Sequence, residues 1–178
     1  MTARYFAVVL LGLLTCYPAL GQRHADLNPV EVDQLRDTAM EPDKRLKLYL
    51  TFARERLAKL EQVRTDLKLV ADDRATATHD GLQNFLDIYD ELNDNIDMYV
   101  DRKNDIRKPL KAVLEADTEF ETKLKAFQDS AAASKENTKA FDFVLTNALD
   151  TLRDSINDHR QLMQEQEEAA KHKKIKKQ

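Results

Sequence analysis

A chain of 178 residues with 34% charged side chains, no tryptophan and only seven glycines and prolines suits one domain and lacks the turn formers of a β-rich fold. Its 28 basic and 32 acidic residues are unevenly spread: the last eight residues hold five lysines and no acid, while residues 22–170 carry a net charge of −10. An acidic body with a basic end excludes the basic patch that nucleic-acid binding requires.

The first 21 residues read as a secretory signal. Arg4 is a minimal basic region, Tyr5–Leu14 is an apolar run too short to span a bilayer, which takes about 20 residues, and Pro18 breaks the run. Ala19-Leu20-Gly21 then offers small residues for cleavage after Gly21. Cys16, the one cysteine, leaves with the signal, so the exported chain has no disulfide, thiolate nucleophile or Cys-held metal. The expected location is periplasmic or extracellular, with no transmembrane segment after signal removal.

Asn28-Pro29 is an N-cap followed by proline at the first helical position. A short helix is expected over 30–40, with Val32, Leu35 and Ala39 facing inward. Glu41-Pro42 ends it and starts a second helix running to about Asp66. Leu46, Tyr49, Leu50, Ala53, Leu57, Leu60 and Val63 form the apolar seam of that helix. The Asp72-Asp73 region reads as the next connection. A third helix follows to about Ile106, its seam running through Leu82, Phe85, Tyr89, Leu92, Ile96, Tyr99, Lys103 and Ile106.

Arg107-Lys108-Pro109 marks a boundary, the alternative being one long helix kinked at Pro109. The fourth helix carries Leu110, Val113, Leu114, Phe120, Leu124 and Phe127. Ser130–Ser134 reads as the joint to the fifth, with Ser134 as its N-cap. The fifth helix carries Phe141, Val144, Leu145, Ala148, Leu152, Ile156, Leu162 and Met163, and its apolar face ends at Gln164. Gln164–Glu168, polar all round, is expected to project from the body. The fold class is therefore all-α, an up-down antiparallel bundle of four long helices plus a short N-terminal one. Residues 22–170 form its single domain and 171–178 a lysine-rich tail.

Chemistry is sparse. Past residue 21 the one glycine is Gly81, so no phosphate cradle or nucleophile elbow can be built. No Glu-x-x-His pair of a di-metal bundle occurs. His159 lies on an apolar face and reads as a partly buried histidine with a hydrogen-bond partner. Asp117 falls in the fourth helix's seam. With the joint centred near residue 132, Asp117 stands level with residue 147 and His159 lies about 18 Å further along, so the two should not meet. Tyr99, Thr146 or Asn147 is expected to satisfy Asp117 instead.

Asp90, Asp94, Asp97 and Asp101 repeat at helical spacing opposite the third helix's seam and are the candidate ligands for a hard cation. Lys171, Lys173, Lys174, Lys176 and Lys177 are the candidate surface contact, suited to an anionic envelope surface or an envelope protein. No cofactor is expected. The leading expectation is a non-enzymatic, exported binding or structural module of the cell envelope. The alternative is a carboxylate-based metal-binding bundle.

Overall fold

The computed structural model describes residues 26–66, 68–133 and 137–175, with side chains described as far as His172. Five helices make it up: α1 (Pro29–Asp37), α2 (Pro42–Thr65), α3 (Ala71–Asp101), α4 (Arg107–Ala133) and α5 (Asp142–Ile175). No strand occurs among the described residues. The expected all-α, up-down bundle of four long helices and one short one is the architecture found. The signal segment, Cys16 and Ser134 lie outside the described residues.

Successive long helices run antiparallel, but their order around the bundle is α2, α3, α5, α4. This places parallel helices side by side. On one side Arg54 meets Glu119 at 2.9 Å, Lys108 meets Asp43 at 2.7 Å and Lys123 meets Glu61 at 3.2 Å, which pairs α2 with α4. On the other, Asn93 donates to Ser155 at 3.0 Å and Gln166 donates to the Asn104 carbonyl at 3.2 Å, which aligns α3 and its C-terminal loop with α5. The chain is thus two helical hairpins laid together, and α3 and α4 face each other diagonally. Their rings meet at the centre: Phe120 packs edge-on against Phe85 at 5.4 Å and against Tyr89 at 6.2 Å. Within the first hairpin α2 and α3 pack tightly at Gly81, where a Cβ would lie 3.2 Å from Leu60 Cδ1.

The seams of α2 to α5 are turned inward as the spacing requires, with Val63, Leu114, Phe127, Leu162 and Met163 half-buried and Lys103 an exception. Lys103 is exposed and adopts a left-handed φ of 60° just past α3. Its N–H donates to the Val100 carbonyl at 2.8 Å and that of Asn104 to the Tyr99 carbonyl at 3.0 Å, the two bonds of a Schellman stop. The helix therefore ends here and does not bend through Pro109. Pro109 instead lies buried in the first turn of α4, where its missing N–H would have had no helical partner.

Four other expectations are corrected. Asp72 and Asp73 are not a connection but the first turn of α3, where carboxylates stabilise the helix N-terminus. The connection lies before them, and Arg74 closes it by donating to the Asp66 and Leu69 carbonyls. On α1, Leu35 faces inward as expected, but Val32 is 41% exposed, Ala39 is exposed, and the second inward residue is Glu31. A capping box fixes that phase: Asn28 Oδ1 accepts from the Val30 and Glu31 N–H groups, and Glu31 accepts from the Asn28 N–H. Arg56 then grips the Glu31 carboxylate with two bonds of 2.7 and 2.8 Å. Ala131–Ala133 do not interrupt α4 but complete it, since alanine is the best helix former. Finally, Gln166 does not project: its side chain accepts from the Ile106 N–H at 2.9 Å and caps the start of α4.

Candidate functional site

A polar cluster spanning three helices interrupts the apolar core. Asp117 of α4 is wholly buried, and its two oxygens face two different helices. Tyr89 of α3 donates its hydroxyl to Oδ1 at 2.7 Å. His159 of α5 places Nδ1 2.8 Å from Oδ2. With Asp117 ionised, Nδ1 carries the proton and donates it, and the carboxylate then has a donor on each oxygen, as a buried charge requires. One turn before His159, Ser155 accepts from Asn93.

The expectation that Asp117 and His159 stay apart is therefore wrong, and the cause is the joint. α4 runs to Ala133 and α5 starts at Asp142, so the hairpin turns near residue 138 and not near 132. Moving the centre of an antiparallel hairpin by six residues shifts the partner by twelve, which brings His159 level with Asp117 instead of Asn147. Asn147 is exposed and Tyr99 points its hydroxyl to the Ala39 carbonyl at 3.4 Å. His159 has the hydrogen-bond partner expected of it and is more deeply buried than the expected partial burial, at 4% exposed. Tyr89, Asn93 and Ser155 were not legible as polar partners. Tyr89 is apolar in periodicity, and only the three-helix geometry shows what its hydroxyl meets.

The electrostatics follow from this burial. Removal from water pushes the Tyr89 phenol far above its ordinary range, and the charge of Asp117 and the hydrogen bond to it push the same way. Tyr89 thus stays protonated as a donor at all physiological pH values.

The aspartate stripe lies on the outside of α3. Asp90, Asp94, Asp97 and Asp101 are all exposed. Asp90 and Asp97 are nonetheless held above the ordinary carboxylate range. For Asp90 the causes are partial desolvation and then the charges of Asp87, Asp94 and Glu91. For Asp97 they are desolvation, then Asp94 and Asp101 on its own helix and Asp158 across on α5, with His159 acting in the opposite sense. Among the described residues, no three His, Cys, Asp or Glu side chains converge into a ready cage for a metal ion.

The lysine-rich end is the other candidate. α5 continues as helix to Ile175, with Lys171 and His172 exposed. Lys173 and Lys174 follow on the same helix, and Lys176 and Lys177 lie outside the described residues. No described helix is long and apolar enough to cross a membrane. No known protein family, curated protein or solved structure matches this chain.

Proposed function

We propose that this chain is an exported, non-enzymatic module of the cell envelope that works through its surface, meeting anionic envelope material with its C-terminal lysines. The observation that supports this most is the reach of α5. Its side-chain bonds to the body among the described residues end at Gln166, yet the helix runs on to Ile175. The helix thus continues past its last side-chain bond to a body whose net charge of −10 is repelled by an anionic surface. Five lysines at roughly 1 kcal/mol each give at most about 5 kcal/mol, which is weak and reversible binding. Export rests on the Arg4, apolar run and Ala-x-Gly pattern, and the intact mass of the exported protein should place Gln22 at its start.

The test is co-sedimentation with anionic vesicles of a chain beginning at Gln22, compared with the same chain ending at Ala170. The longer form should bind at low salt and release as salt rises, because exposed charges are screened beyond about 8–10 Å at physiological ionic strength. Equal binding by both forms, or by neither, overturns the reading.

A further inference from the structure

The buried cluster leaves one strong donor uncommitted. His159 meets Asp117 through Nδ1, which leaves its other nitrogen, Nε2, for a second partner. A carboxylate behind the imidazole, itself held by Tyr89, fixes both the ring orientation and the tautomer that puts a lone pair on Nε2. The same arrangement stands behind histidines that bind metal ions.

What stands level with His159 on α3 follows from the register of α3 against α5. The Asn93–Ser155 and Asn104–Gln166 bonds share one offset, and that offset sets Asp97 level with His159, one turn past the first bond. Asp97 is exposed at the mouth of this seam. Asn93, one turn earlier on the same face of α3, commits its amide N–H to Ser155 and leaves Oδ1 buried without a partner. An orphaned buried acceptor calls for a donor or a cation. The register thus sets one imidazole, one carboxylate and one amide side chain along the same seam between α3 and α5.

We propose that His159, Asp97 and Asn93 form a site for a divalent transition-metal ion such as Zn²⁺, with water completing the coordination. The nitrogen donor separates this ion from Ca²⁺ and Mg²⁺, which prefer oxygen throughout. A ring only 4% exposed admits an ion and no organic substrate. The inference stands apart from the lysine tail, which takes no part in it.

The experiment is calorimetric titration of the chain beginning at Gln22 with Zn²⁺ at neutral pH, alongside nitrogen-15 NMR of the histidine rings. One ion per chain should bind, with the shift centred on His159 Nε2. Asp97→Asn, an exposed change that leaves the fold intact by circular dichroism, should weaken binding at least tenfold. Tyr89→Phe, which loosens the carboxylate behind the ring, should weaken it about 10–100-fold. Glu115→Gln, on the exposed face of α4, should leave it unchanged. No Zn²⁺-dependent change at His159, or equal binding by wild type and Asp97→Asn, overturns the site. Equal losses in Asp97→Asn and Glu115→Gln overturn it too, since they mean diffuse attraction to an acidic body.

Discussion

Replacing Tyr89 by Phe tests the buried network at its least disruptive point. The ring keeps its packing, 5.9 Å from Phe85 and 6.2 Å from Phe120, and only the hydroxyl is lost. Oδ1 of a wholly buried carboxylate then loses its donor, and among the described residues His159 remains as the partner of Asp117. A hydrogen bond to a charged group contributes about 1.5–3 kcal/mol. In a domain of this size that lowers the melting temperature by roughly 3–12 °C. The midpoint of guanidinium unfolding should fall accordingly, with an unchanged slope showing that the denatured state is the same. The sharper result is a sign reversal. Asp117→Ala leaves two donors buried without an acceptor and should cost about 3–5 kcal/mol. In that background Tyr89→Phe removes an orphaned hydroxyl and should be neutral or stabilising. A loss below about 0.5 kcal/mol in the wild-type background, or equal losses in both, would refute the reasoning.

Ile96→Asp places an unpaired charge in a seam where Ile96 is 2% exposed and should cost several kcal/mol, whereas exposed Asp94→Asn should be neutral or slightly stabilising by relieving carboxylate repulsion; denaturant midpoints distinguish them. Lys103→Gly should raise stability by about 0.5 kcal/mol, since a left-handed side chain costs roughly 1–2 kcal/mol and glycine's greater freedom in the unfolded chain returns part of it. Burial pushes Glu31 up, but the hydrogen bonds from Arg56 and the Asn28 N–H and the charge of Arg56 outweigh it, holding Glu31 below its ordinary 4.5. Its stabilising contribution is therefore complete above pH 4.5 and lost as pH falls through its lower folded value. Glu31→Gln should remove that step and cost about 1–3 kcal/mol at pH 7, seen first as faster amide exchange in α1.

The faces of the long helices were legible because apolar periodicity is a local signal, and Leu82 to Tyr99 obey it without exception. Register between helices was not. It depends on where each helix stops, and stopping signals compete. Ala131–Ala133 were expected to belong to a joint because serines flank them, yet alanine carries the helix on. Asp72 and Asp73 look like turn residues but favour a helix N-terminus as well. Those errors propagate: six residues at one joint separated Asp117 from His159 on paper. Glu31 shows the opposite failure, a charged residue buried ahead of Val32 because a cap and Arg56 hold it there. Gln166 belongs to the same class, since no periodicity marks a side chain that caps a neighbouring helix.

The proposed mode of action is tested most directly by hydrogen–deuterium exchange of the chain beginning at Gln22, free and bound to anionic vesicles. The account predicts new protection confined to residues 167–178, with the core of α3 over 82–99 exchanging as slowly as before. Protection along the aspartate stripe of α3, or faster exchange in 82–99 on binding, would contradict it. Either result would mean that the body of the bundle makes the contact.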